Sequence, residues 1–187
     1  MNFKLPTTNN QTPTGFTLIE TLVALTILTL AATSALFVAN TSIVASSIAR
    51  DKLITIYLSQ EGIEHVRMVR DNYYLAAYQA DQSTASTVGW NNFSTGITPC
   101  LAPNVCSFDP VNNVLAQCMG NCAPLYRLSS GVYSQQNLLG SEVTPFTREI
   151  RVTNISGIDK KVTSTVSWTY HGVPHSVVTT VHLTPWQ

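Results

Sequence analysis

Charge is scarce in this sequence. Asp, Glu, Lys and Arg make up 11% of the 187 residues, ten acidic against ten basic, so the formal net charge is zero. A protein that grips duplex nucleic acid normally shows a basic excess, so general nucleic-acid binding is not expected. The few charges are also unevenly spread. Residues 21–49 carry none, and residues 71–126 hold no Lys or Arg. A Gly-rich phosphate loop and a nucleophile elbow are both missing, so neither an enzyme nor a cofactor site is expected. A Sec signal is missing as well. Residues 1–15 are polar, with Pro6, Pro13 and a single Lys4, and have no apolar h-region before a small-residue cleavage site.

What the N-terminal third does have is an apolar run with one carboxylate in it. At ~1.5 Å per residue, residues 16–39 as a helix span ~36 Å, against ~30 Å of hydrocarbon. Glu20 lies inside that run. A lone acid in a membrane segment is costly without a partner and marks a functional position. Thr17, Thr21, Thr26, Thr29 and Thr33 are poor helix formers in water. In lipid the helix is enforced, and threonine hydroxyls can bond back to earlier carbonyls. Thr26, Thr29, Thr33 and Asn40 fall on one stripe, either a close helix–helix contact or simply tolerated.

Gly15-Phe16-Thr17-Leu18-Ile19-Glu20-Thr21-Leu22-Val23-Ala24-Leu25 resembles the class III signal of type IV prepilins and type II secretion pseudopilins. The resemblance implies that prepilin peptidase, a membrane aspartyl peptidase, cuts on the cytoplasmic side between Gly15 and Phe16. It then N-methylates Phe16. Glu20 falls on the fifth mature position, where the family keeps its glutamate for assembly against other pilin or pseudopilin subunits. An inner membrane assembly platform is implied as a further partner. Major pilins usually carry helix breakers about fourteen and twenty-two residues into the mature chain. Thr29 and Phe37 stand there instead, so a locally melted helix is not implied. The Glu20–Leu25 run is closer to V-type minor pilins and I-type pseudopilins, which implies an initiating or tip-proximal role. Lys4 on the N-terminal side agrees with a cytoplasmic N-terminus and an extracytoplasmic head.

The helix is expected to continue past the span. Ile54, Leu58, Gly62, Val66, Val69 and Tyr73 recur at spacings of three and four as an apolar stripe. Glu64, Arg67 and Asp71 lie opposite, suited to solvated ion pairs. Gly62 is either a close packing point or a weak spot. Residues 81–124 lose periodicity and read as a cysteine-containing loop region with a short strand or hairpin, anchored by Trp90 and Phe93. From residue 125 the period becomes two: Phe146, Arg148, Ile150 and Val152 share one face, as do Val162, Ser164, Val166, Trp168 and Tyr170. His171-Gly172-Val173-Pro174 turns the chain into a last strand. One apolar face must be covered, and the helix stripe is its natural cover. The fold expected is α+β: a leader at 1–15, a long helix at 16–80 that is transmembrane over about 16–39, the loop region, and an antiparallel sheet at 125–187. The pilin resemblance implies the same layout.

Elsewhere the chemistry is sparse. His65, His171, His175 and His182 read as ordinary surface histidines, and Asp109 lacks EF-hand neighbours; no metal is expected. Cys100, Cys106, Cys118 and Cys122 are separated by five, eleven and three residues, none of them the two-residue gap of a zinc ribbon. In an exported head they read as disulfides. Four cysteines allow three pairings. The local pairs Cys100–Cys106 and Cys118–Cys122 each close a short Pro- or Gly-containing loop and are favoured; a cross pairing, which closes longer loops, is the runner-up. The expected function is therefore a minor pilin or pseudopilin. The competing reading is a single-pass anchored protein whose exported head binds a ligand without entering a filament.

Overall fold

The structure, a computed structural model, describes residues 15–112 and 114–185. The leader expected at 1–15 therefore lies, apart from Gly15, outside the described residues. Helix α1 runs Leu18–Ala80, through a stretch with no proline between Pro13 and Pro99. It divides between two compact units, Met1–Ser47 and Ile48–Gln187.

In the first unit the helix has an apolar window of mean hydropathy 2.3, none of it buried in the protein, long and apolar enough to cross a membrane. Its hydroxyls are consumed locally. Thr21, Thr26, Thr29 and Thr33 each donate to the carbonyl three or four residues back, at 2.8–2.9 Å. That removes the polar cost of threonine in a segment where nothing else can satisfy it.

The second unit is the head: the rest of α1 packed against a seven-stranded antiparallel sheet. The strands are β1 (Cys106–Asp109), β2 (Val114–Gln117), β3 (Pro124–Arg127), β4 (Tyr133–Ser134), β5 (Glu142–Ser156), β6 (Asp159–Tyr170) and β7 (Val173–Leu183). β5 pairs with β6 over most of its length, with β3 near its start, and with β1 at Ile150. The period-two faces are buried as expected: Phe146, Arg148, Ile150 and Val152 on β5, and Val162, Ser164, Val166 and Trp168 on β6. Leu58, Gly62, Ile63 and Val66 of α1 close over them. Two apolar clusters result. One joins Ile63 and Val66 to Phe93, Ile97, Phe108, Ile150 and Val162; the other joins Leu58 to Leu125, Phe146, Val166 and Trp168. Gly62 is a close packing point, since a Cβ there would lie 2.6 Å from Ser164 Oγ.

The helix ends where Asp81 intervenes. Its carboxylate accepts from the Ser83 N–H and hydroxyl and from the Thr84 hydroxyl at 2.7–3.1 Å, a local turn that competes with another helical residue. The region beyond departs from the loop expected at 81–124. It contains α2 (Ala85–Gly96), a 3-10 turn (Thr98–Cys100) and the β1–β2 hairpin, which joins the main sheet. Trp90 and Phe93 are buried anchors, the Trp90 indole N–H reaching the Gly157 carbonyl at 2.7 Å. Gly89 lets α2 approach α1, since a Cβ there would lie 2.8 Å from the Tyr74 Cα.

Candidate functional site

The residues singled out at the N-terminus are adjacent in space because they are adjacent in chain. Gly15, Phe16 and Thr17 precede the first helical turn, and all three are exposed. Gly15 has open space where a side chain would stand. Nothing among the described residues therefore demands a glycine there, which leaves a requirement for a small residue to what binds it. Thr17 caps α1. Its hydroxyl accepts from the Glu20 N–H at 3.3 Å, and its carbonyl accepts from the Glu20 and Thr21 N–H groups at 3.1 and 3.2 Å. The Thr-x-x-Glu spacing is a helix-start signature, a role for Thr17 that reading the motif alone passed over. Glu20 thus sits in the first turn, where the helix dipole favours a negative charge. Among the described residues no cation is paired with it.

Chemically, then, this end offers an exposed, non-helical Gly15–Phe16 pair, a helix immediately after it, and one carboxylate about one turn in. No other charged residue follows until Arg50.

In the head, the structure pairs Cys100 with Cys106 and Cys118 with Cys122, with Cα separations of 5.1 and 5.0 Å, and leaves no free cysteine among the described residues. The first pair belongs to the core; the second borders a hairpin.

His65 corrects the surface reading of the histidines. It is buried and stacks on Phe108, ring centroids 3.6 Å apart. Burial first, and the nearby Arg148 charge second, lower its pKa to about 4, so it is a neutral core ring. Arg148 is itself buried and pairs with Glu61 of α1. Lys160 is buried too, and donates to Asn154 Oδ1 at 2.7 Å; burial holds its ammonium below the usual value. Asp109 is pushed up by burial, but hydrogen bonds from Asn112, Ser134 and the Val111 N–H hold its carboxyl below the ordinary range. The signal for these inner charges was present: Arg148 and Lys160 fall in phase with the apolar faces of their strands. They serve packing, and among the described residues no group of three or more His, Cys, Asp or Glu gathers as metal ligands do.

Comparison with known proteins bears on the N-terminus alone. No curated protein and no solved structure matches the chain. The family model of the prokaryotic N-terminal methylation motif matches residues 13–36, which take in Gly15, the Thr17 cap, Glu20 and most of the apolar span. The chain carries that motif, the class III signal peptide of the type IV prepilin-like kind, over these residues.

Proposed function

We propose that the chain is the precursor of a minor pilin or pseudopilin, a non-enzymatic subunit of a type IV pilus-like filament or a type II secretion pseudopilus. Prepilin peptidase cuts between Gly15 and Phe16, removes residues 1–15 and methylates the Phe16 amine. The product waits in the inner membrane as a single-pass protein with a cytoplasmic N-terminus and an extracytoplasmic head. The assembly platform then moves it onto the growing filament, where its N-terminal helix packs on other pilin or pseudopilin subunits. The observation that carries this reading is the coincidence within residues 13–36 of the methylation motif and one carboxylate, in the first turn of a Thr17-capped helix and with no paired cation among the described residues, at the start of an otherwise uncharged span.

Glu20 has a physical role in that sequence of events. A carboxylate alone in hydrocarbon is penalised. The α-amine released at Phe16, with an ordinary pKa of about 7.7–8.0, is the nearest cation that processing supplies. Phe16 precedes the first turn and Glu20 lies within it; in the filament the carboxylate of an incoming subunit meets the amine of its neighbour. An ion pair formed in low dielectric gains strongly only when both partners are in place, which couples entry into the filament to correct axial register.

Glu20→Ala and Glu20→Val test this. Each is expected to insert and to be cleaved normally while its incorporation into filaments falls. Variants that assemble as well as wild type would overturn the registry role and leave Glu20 as a residue placed for the helix dipole. A chain that keeps residues 1–15 in the membrane and tolerates both changes would instead be an anchored binding protein.

A further inference from the structure

One face of β5 and β6 is buried, and the residues that alternate with it form the outer face of the sheet. That outer face is mostly hydroxyl: Thr147, Thr153, Thr163, Thr165, Ser167 and Thr169 stand on it. Charge gathers there at one place. Glu149, Arg151 and Lys161 line a cleft of about 310 Å³, within the ~300–1,000 Å³ range of small-molecule sites.

Val105 forms one wall of this cleft. Cys106 lies opposite Ile150 in an antiparallel pair, so register sets Val105 beside Arg151. The chain leading to Val105 is fastened along its length. Leu101 bridges Val152, and the Ala102 N–H donates to the Val152 carbonyl at 2.8 Å. The Val105 carbonyl accepts from the Cys118 N–H at 2.9 Å, and the Cys100–Cys106 disulfide closes the loop. The wall therefore needs little ordering when a ligand binds.

The floor is a small grid. Glu149 lies opposite Thr165, Arg151 opposite Thr163, and Thr153 opposite Lys161. Arg151 and Lys161 are thus diagonal neighbours, about 7–8 Å apart at Cα. Glu149 stands two residues along β5 from Arg151, roughly 6.6 Å away. None of the three charges has a hydrogen bond or ion pair with a described residue. Arg127 and Glu142, exposed on the same sheet, do pair.

We propose that this cleft binds a sugar acid, a saccharide unit with one carboxylate and several hydroxyls, either free or as one unit of a polysaccharide. Two cations against one carboxylate leave the lining one positive charge in excess, which suits a monoanion. The Arg151 guanidinium offers a carboxylate two parallel donors, and Lys161 adds a second positive charge on the same side. Glu149 only accepts, so what lies against it must bring donors. Hydroxyls do; a phosphate or a second carboxylate does not. Thr153, Thr163 and Thr165 can each donate or accept, and so match sugar hydroxyls in either orientation. Among the described residues no aromatic ring lines the cleft, which leaves a nucleobase nothing to stack on. This site goes beyond the pilin reading and does not depend on it.

Saturation-transfer NMR of the detergent-solubilised full-length chain, with galacturonate as the probe, tests the proposal. Galacturonate is expected to bind at least about tenfold more tightly than its methyl ester, which keeps the hydroxyls and loses the charge, and than acetate, which does the reverse. These comparisons need no variant. Arg151→Gln should weaken galacturonate about tenfold, and Glu149→Gln should narrow its preference over acetate. Thr169→Ala, on the same face outside the cleft, should change nothing. Near-ultraviolet dichroism matching wild type checks that each variant folds. Trigalacturonate distinguishes the sources: tighter binding than galacturonate makes the ligand a polysaccharide unit, equal binding makes it the free acid, and both support the site. No binding of galacturonate, acetate or inorganic phosphate binding as tightly, a preference for oligo-dT, or an Arg151→Gln variant with unchanged affinity would each overturn it.

Discussion

Arg148 of β5 and Glu61 of α1 tie the sheet to the helix that covers it. The guanidinium is wholly buried, and its Nη1 donates to Glu61 Oε2 at 2.6 Å while the Glu61 side chain remains 39% exposed. The same guanidinium donates to the carbonyls of Leu58 and Phe108 at 3.2 and 3.1 Å, and stacks over the Phe108 ring at 4.8 Å. Burial lowers the Arg148 pKa and Glu61 opposes that shift. A charge placed inside the core is stable only while these partners stand around it.

Removing Glu61 should therefore be worse than removing the pair. Breaking a fully buried ion pair costs about 3–5 kcal/mol. Because water reaches Glu61, a loss of about 2 kcal/mol is expected for Glu61→Ala. The double change Glu61→Leu/Arg148→Met should recover most of it. Urea denaturation of the solubilised chain reads both, and a double variant less stable than Glu61→Ala would contradict the view of Arg148 as a charge that needs compensation.

His65 makes stability depend on pH. Its pKa is 6.5 in ordinary surroundings and about 4 in the fold. Between those values the unfolded chain binds the proton and the folded chain does not. Stability therefore falls as pH drops from about 6.5 to about 4. His65→Phe keeps a ring against Phe108 and removes the titration, so its denaturation midpoint should change less between pH 7 and 4.5 than that of wild type. Equal pH dependence in the two proteins would contradict a neutral, buried His65.

The two disulfides should be unequal. They close loops of similar size, separated by six and four positions, and chain entropy assigns about 2 kcal/mol to each. Cys100 and Cys106 also fill the core beside Phe108 and Ile150, so Cys100→Ala/Cys106→Ala should destabilise more than Cys118→Ala/Cys122→Ala. Connectivity is read by pepsin, which should cut near Phe108 or Leu115 and separate the pairs without reduction. Trypsin keeps all four cysteines in one peptide, since no Lys or Arg stands between Arg70 and Arg127. Pairs that travel together until reduction would contradict the local pairing.

The sequence made some of this legible and hid the rest, for identifiable reasons. The period-two faces of β5 and β6 and the stripe through Leu58, Gly62 and Val66 announce the sheet and its cover, because burial on one side writes itself as periodicity. α2 was hidden by its Ser, Thr, Asn and Gly content, poor in helix propensity. Its signal was the spacing of Trp90, Phe93 and Ile97 at i, i+3 and i+7. Glu61 was hidden because it flanks the apolar stripe and its partner lies 87 positions away. At the N-terminus, Gly15, Phe16 and Glu20 were legible as a local pattern. The Thr17 cap was equally local and was concealed only by the apolar residues around it.

Processing at Gly15–Phe16 is the claim on which the proposed function stands. Intact mass of the chain extracted from its membrane, under non-reducing conditions, reads it directly. The expected mass is that of residues 16–187 plus one methyl group. Gly15→Ala, a small change for the peptidase, should be a mild lesion that still gives the same species, whereas a bulky residue at 15 should leave the leader attached to a normally folded head, since no described residue lies within 4 Å of where its side chain would stand. A wild-type mass that includes residues 1–15, or residues 16–187 without the methyl group, would contradict cleavage and N-methylation by a prepilin peptidase.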